Sequence, residues 1–235
     1  MDQMKSLTHK TVRISNEMTR YSQPTEMTTM AYRIAFWLMA RVPWEGDGGD
    51  QSWRFIRMPL EDFGRDIGLP IQGDTYEQVK AALRAMRGDI AGLYIQRKEK
   101  RHKFEAWINF IGGWTIEDRN TLSIKLDDDL PAFFRELTKD FSVVRLNDVY
   151  SVSSPRAARL VLLLSYFRNL DSNALRTVPL PELRRILGLE GEYYLKWDKA
   201  HEAIKRSMRE VIRVSPGLHF KIVPIKKSRK VEAVR

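Results

Sequence analysis

The stretch PLPELRRILGL at residues 179–189 repeats, more loosely, a stretch met earlier in the chain, PLEDFGRDIGL at 59–69. Pro, Leu, Arg, Gly and Leu coincide at 59/179, 60/180, 65/185, 68/188 and 69/189, and acidic Asp62 and apolar Phe63 stand opposite Glu182 and Leu183. Each stretch reads as a short helix between a proline and a glycine stop, because proline fits a first helical turn and glycine takes the left-handed conformation that ends one. The surroundings repeat too. An apolar run precedes each copy, AYRIAFWL at 31–38 and AARLVLLL at 157–164, and a Tyr-led amphipathic segment follows it.

The second copy gives the clearer order. Ser153-Ser154-Pro155 is a capped helix start, followed by an apolar helix over 157–168. Arg176-Thr177-Val178 reads as a short strand and Leu180–Leu187 as the short helix. A long helix is expected over Tyr194–Arg213, with Trp197, Ile204, Met208 and Val211 turned inward. Two strands, His219–Ile225 and Val231 onward, flank the basic turn Lys226-Lys227-Ser228-Arg229-Lys230. Helix, strand, helix, turn, helix, hairpin is the order of a winged helix-turn-helix. The first copy parallels it. The helix is Thr28–Arg41, the strand Trp53–Met58, the short helix Leu60–Ile67 and the long helix Tyr76–Ile90. Strands Leu93–Arg97, Lys103–Ile111 and Thr121–Leu126 would form an enlarged wing, and Asp127–Leu137 a closing helix. The expectation is therefore an α+β chain of two tandem winged-helix domains related by internal duplication. Residues 1–140 form the first, 141–152 the linker and 153–235 the second.

Charge divides along the same line. Residues 1–148 hold 22 Lys+Arg and 22 Asp+Glu, whereas residues 149–235 hold 18 and 8, so the whole net charge of +10 sits in the second part. A basic domain joined to a neutral one points to a polyanion partner for the basic part, or to a solvated basic surface. The absence of cysteine excludes disulfides and thiolate metal sites and suits a reducing cytoplasm. The longest apolar stretch, Leu160–Leu164, is far short of a membrane span, and no apolar signal region follows the N-terminus.

In a helix-turn-helix the second helix enters the major groove, where base edges are distinguishable. On the long helix, Lys196, Lys199, Ala203, Arg206 and Arg213 lie off the inward face, with Lys196, Lys199 and Arg206 foremost for groove contacts. Lys226, Lys227, Arg229 and Lys230 at the hairpin tip suit phosphates, which add affinity and salt dependence. In the first unit Lys80, Arg84 and Arg87 project from the long helix, and Arg97, Lys98, Lys100, Arg101 and Lys103 form a basic turn. This unit also carries the exposed-looking Trp107, Phe110, Ile111 and Trp114, so a protein–protein surface competes with a second DNA contact.

Catalytic signatures are missing. His9, His102, His201 and His219 have no metal-ligand spacing, no His-hydrophobic-His motif accompanies Tyr193 and Tyr194, and no Gly-rich phosphate loop precedes a Lys-Ser/Thr pair. Asp127-Asp128-Asp129 reads as an acidic helix N-terminus rather than a metal site. No enzyme activity and no cofactor are expected.

Over about residues 12–235 the sequence resembles the iteron-binding plasmid replication initiators of the Rep type. The resemblance is carried by Asn16 before the helix Thr28–Arg41, by Phe141–Val149 leading into Ser153-Ser154-Pro155-Arg156-Ala157-Ala158-Arg159-Leu160, and by Leu183-Arg184-Arg185-Ile186-Leu187-Gly188-Leu189 before Tyr194 and the long helix. It departs from the family at Trp197 or His201, where Phe is usual, and at Glu210-Val211-Ile212, where Glu-Ile-Asn is frequent. The resemblance implies a protein that binds direct repeats at a plasmid origin as a monomer, helps melt adjacent AT-rich DNA and recruits host replication proteins. It also implies a homodimer, joined largely through the N-terminal unit, that represses its own gene. The competing readings are a winged-helix transcriptional regulator without a replication role and a protein-binding scaffold. The basic second half argues against the scaffold.

Overall fold

The computed structural model describes residues 11–15, 22–23, 27–41, 52–88, 93–99, 102–128, 141–168, 177–215, 217–218, 220–227 and 230–234. Strands β1 (Thr11–Ser15) and β2 (Ser22–Gln23) precede helix α1, Thr29–Met39. The Thr28 hydroxyl accepts the Ala31 N–H at 3.1 Å and caps α1. Apolar residues surround this helix, and nine of its eleven residues are buried, so it runs through the interior. Strand β3 (Phe55–Pro59) leads into the short helix α2 (Leu60–Asp66) and the long helix α3 (Asp74–Arg87), which buries Val79, Ala82, Leu83 and Met86.

Four strands follow: β4 (Leu93–Glu99), β5 (His102–Ile108), β6 (Ile111–Glu117) and β7 (Thr121–Leu126). They do not form the single enlarged wing expected from the sequence. The β4–β5 hairpin pairs with β2, whereas β6–β7 pairs through β7 with β3, running from Phe55↔Lys125 to Pro59↔Thr121. The break falls at Phe110, 1% exposed, which drops into the core between β5 and β6. Phe110 and Ile111 are thus core residues, not surface, while Trp114 is half-buried against the core and Trp107 lies on β5 opposite Tyr94. The wing of the first unit is β6–β7, and β4–β5 is an additional hairpin. The closing helix expected over 127–137 falls on residues outside the described set from 129 onward.

The second half consists of β8 (Phe141–Arg145), α4 (Leu146–Tyr150), α5 (Pro155–Arg168), β9 (Val178–Pro179), α6 (Leu180–Leu187), α7 (Trp197–Val214), β10 (Pro224–Lys227) and β11 (Lys230–Val234). Its sheet has the order β10-β11-β9, so the strand before the short helix bonds to the second strand of the hairpin, as β3 bonds to β7. Both halves therefore show the winged-helix connection. The repeated glycines do the same work in each. Gly68 has φ +72° and Gly188 φ +64°, in the left-handed region that favours glycine. The residue after each closes the helix end by donating back five residues, Leu69 N–H to the Gly64 carbonyl at 2.8 Å and Leu189 N–H to the Arg184 carbonyl at 2.7 Å. At Gly188 a Cβ would also lie 2.2 Å from an Arg159 guanidinium nitrogen. Gly188→Ala is expected to cost about 2 kcal/mol from backbone strain plus displacement of that arginine. Gly191→Ala, with nothing within 4 Å, is the matched control. Paired urea unfolding curves check the difference.

Residues 141–152, read as a connection, form an ordered bridge. β8 pairs antiparallel with β1, from Thr11↔Arg145 to Ser15↔Phe141, and Val144, Leu146, Val149, Tyr150 and Val152 are buried. Side chains of α1 fasten to both sides of the bridge. Arg33 donates to the Tyr150 carbonyl, and Thr29 Oγ1 donates to the Ser153 carbonyl at 3.0 Å. Arg159 Nε donates to the Tyr32 hydroxyl at 2.8 Å, and burial holds that phenol above its ordinary pKa and so protonated. One buried hydrophobic cluster runs through both halves.

Candidate nucleic-acid interface

The long helix of the second half starts later than its apolar pattern suggests. Glu192–Leu195 is a 3₁₀ turn, closed by the Tyr194 N–H to the Gly191 carbonyl at 2.8 Å, and Lys196 is the extended N-cap of α7. Just ahead of that cap, Arg184 of α6 donates to the Leu195 carbonyl at 2.7 Å. At its other end α7 is pinned to the start of α5. The Ser154 hydroxyl accepts the Ala157 N–H at 3.2 Å, as the serine pattern predicts. Glu210 then takes up the remaining donors. Its Oε1 accepts from the Ser153 hydroxyl at 2.8 Å, the Ser154 N–H at 3.1 Å and the Ser153 N–H, and its Oε2 accepts from the Ser154 hydroxyl at 2.8 Å. A carboxylate at a helix N-terminus is favoured by the helix dipole as well. α7 is thereby tied to α6 just ahead of its first turn and to the start of α5 near its last.

Burial alone would raise the Glu210 carboxyl, but the hydrogen bonds from Ser153 and Ser154 outweigh it and hold the group below the ordinary carboxylate range. A carboxyl whose folded pKa is depressed contributes stability above its unfolded pKa and loses it as pH falls through the folded value. Glu210→Gln is therefore expected to lower Tm at neutral pH, with the gap to the parent narrowing steadily from pH ~5 to pH ~3. A gap independent of pH would show that the carboxylate charge is not what matters.

The inward line of α7 is Ala200, Ile204, Ser207 and Val211, with Trp197, Ala203 and Met208 half-buried beside it. The small residues Ala200 and Ser207 let the helix approach the core on that line. The opposite face therefore presents Asp198, Glu202, Lys205, Arg206, Arg209 and Arg213, all exposed. Among the residues singled out from the sequence, Arg206 and Arg213 lie on this face. Lys196 is exposed at the cap. Lys199 is half-buried, with its Nζ 5.7 Å from the Tyr193 ring centre, and Ala203 packs toward the core. Lys205 and Arg209, not singled out from the sequence, share this face, and the spacing of four from Lys205 to Arg209 to Arg213 marks one stripe of a helix. On the wing, Lys226, Lys227 and Lys230 are exposed, and Lys227 stands directly opposite Lys230. Arg229 lies outside the described residues.

The first unit is less cationic where it is described. Lys80 pairs with Glu77 at 3.2 Å and lies over the Tyr76 ring, whereas Arg84 and Arg87 are exposed on α3. Lys98 is opposite Lys103 across β4–β5, and Lys100 and Arg101 lie outside the described residues. The tip of the true wing, missed in the sequence, carries exposed Arg119 between β6 and β7, at φ +58°. Asp128 pairs with Arg54 and with Lys125 at 3.5 Å. Among the described residues no group of three His, Cys, Asp or Glu is placed to hold a metal ion, and no helix is long and apolar enough to cross a membrane.

Residues 11–165 match the family described as Initiator Replication protein, WH1. The chain belongs to that family. Among solved structures, this initiator is similar to the Pi initiator protein in its complex with iteron DNA, at 14% identity and a TM-score of 0.71 over 97% of this chain and 96% of that one. At that identity the likeness is one of fold, and it extends over both winged-helix halves of the initiator. A crystal structure of domains 2 and 3 of RctB is similar at 12% identity and a TM-score of 0.45, over 88% of this chain and 79% of that one. No curated protein matches the initiator's sequence.

Proposed function

We propose that this initiator binds repeated double-stranded DNA sites at a replication origin, of the kind called iterons, and that its second winged helix makes the main contact. The observation that carries the reading is the exposed cationic stripe Lys205, Arg206, Arg209 and Arg213 on a helix pinned at both ends, beside a basic hairpin tip, in a chain of the initiator family. α7 enters the major groove, where arginine and lysine pair with guanine, and Lys196 and Lys199 flank its leading end. Lys226, Lys227, Arg229 and Lys230 hold phosphates. That the similar Pi initiator was solved on iteron DNA supports the duplex as partner. The initiator family match disfavours a regulator with no part in replication.

In this reading the chain divides into residues 1–140, 141–152 and 153–235. The first unit serves chiefly for pairing with a second copy, and the dimer represses the initiator's own gene. Lys80, Arg84, Arg87, Lys98, Lys100 and Arg101 give that unit an auxiliary contact with DNA. The protein acts in the cytoplasm as a binding protein, with no catalytic step and no cofactor, and hands the opened origin to host replication proteins.

The test is equilibrium binding of the full chain to a duplex carrying tandem direct repeats from its origin and to a scrambled duplex of the same composition. A preference of about 10³-fold or more for the repeats is expected at physiological salt. Equal affinity for both would overturn the proposal.

A further inference from the structure

The large apolar side chains that stand out on the described surface are Phe55, Tyr193, Leu195, Ile212 and Val223. Tyr193 and Leu195, 62% and 61% exposed, sit two residues apart on the turn that leads into α7. Nothing about this turn is loose. Its last carbonyl, that of Leu195, is held by Arg184, and its first bond is the Tyr194 N–H to Gly191. The Tyr193 ring stands edge-on to Tyr194 with centroids 5.1 Å apart, and the Arg156 guanidinium lies 5.4 Å from the Tyr194 ring centre. A braced turn thus holds two apolar side chains outward at the leading end of the proposed reading helix.

The charges around them are mixed: Lys196 follows Leu195 directly and Lys199 lies against Tyr193, while Glu190, Glu192 and Asp198 are exposed close by in the chain. The cations that select a polyanion lie further along the same helix, at Lys205, Arg206, Arg209 and Arg213, yet phosphates give a leucine nothing to bury against. The polyanion that rewards both features is duplex DNA read in its major groove, where the thymine 5-methyl is the apolar mark on the base edges. We propose that Tyr193 and Leu195 contact thymine methyl groups in the major groove just ahead of α7, and so help determine which repeat the initiator selects. This rests on the function proposed above.

The experiment uses full-length protein and a duplex of about two helical turns that the protein itself selects from a randomised pool. The selected duplex is compared with the same duplex carrying uracil for every thymine, which removes only the 5-methyl groups. Burial of a single methyl predicts a loss of about 3- to 5-fold in affinity for each contacted methyl. Leu195→Ser and Tyr193→Ala are each expected to bind the thymine duplex several-fold more weakly and to lose less on uracil than the parent does, and the double variant to lose least. Leu195→Ala serves as second variant, and unchanged Tm values confirm that these exposed substitutions leave the fold intact. The inference is overturned if the parent protein is indifferent to uracil, or if the variants lose as much on uracil as the parent does. It is also overturned if Tyr193→Ala weakens binding to single strands while leaving the duplex untouched. Failure to select any duplex would instead overturn the underlying reading of sequence-specific binding, and this inference with it.

Discussion

Replacing Lys205, Arg206, Arg209 and Arg213 together by glutamine is expected to weaken binding to the repeated duplex by about 100-fold or more and to erase most of the preference over scrambled DNA. All four side chains are exposed on one face of α7, so the substitutions leave the core alone. A single well-placed Arg or Lys on guanine is worth about 1–3 kcal/mol of discrimination, so losing even two such contacts gives this effect. Those of the four that touch phosphate instead show themselves in salt dependence, each lowering the slope of log K against log salt by about 0.9. Neutralising Lys226, Lys227, Arg229 and Lys230 behaves differently. Affinity falls equally for repeated and scrambled DNA and the salt slope flattens, because a hairpin tip on phosphates carries no sequence information. If the helix variant keeps its preference while the wing variant loses it, the assignment of reader and clamp is reversed.

Trp37→Ala is expected to destabilise the protein by about 4 kcal/mol, near the top of the range for a buried aromatic, and to lower Tm by about 10 °C. Trp37 is 0% exposed in the last turn of α1 and packs edge-to-face on Phe63, with centroids 4.9 Å apart. Its indole N–H donates to Asp66 Oδ2 at 3.1 Å, and Arg41 reaches the same oxygen at 2.7 Å while lying over the Trp37 ring. Truncation therefore opens a cavity, strips one donor from a buried carboxylate and removes the surface on which Arg41 rests. Trp37→Phe keeps most of the volume and is expected to cost about half as much. Calorimetry of both variants checks the order, and a Trp37→Ala effect below about 1 kcal/mol would mean that this cluster does not hold the first half together.

Much of this architecture was legible because it depends on local chemistry. Gly68 and Gly188 were readable as helix stops because a left-handed residue is needed there, and Ser154 was readable as a cap. The pairing of β7 with β3 was not, since each strand shows only its own alternation and the partner is fixed by how Phe110 folds inward. The start of α7 was misplaced for a similar reason. Tyr193, Tyr194 and Leu195 look like a helical apolar run, yet they form a 3₁₀ turn whose last carbonyl is bonded by Arg184 of another helix. The inward line through Ala200, Ile204, Ser207 and Val211 leaves Lys205 and Arg209 on the outward face and Lys199 beside Tyr193. Glu210 was noticed only as a departure from a family pattern. Its service to Ser153 and Ser154 spans more than fifty residues and leaves no mark in local sequence.

The central claim is that α7 of this initiator lies in the major groove of its repeated sites. Dimethyl sulfate protection of the bound repeat tests it most directly, because guanine N7 reports the major groove and adenine N3 the minor groove in one reaction. Guanines within each repeat are expected to be protected at N7 by the intact protein and to become reactive again with the Lys205, Arg206, Arg209 and Arg213 variant at concentrations that still saturate the DNA. Protection confined to adenine N3, or N7 protection that the variant retains in full, would contradict the claim.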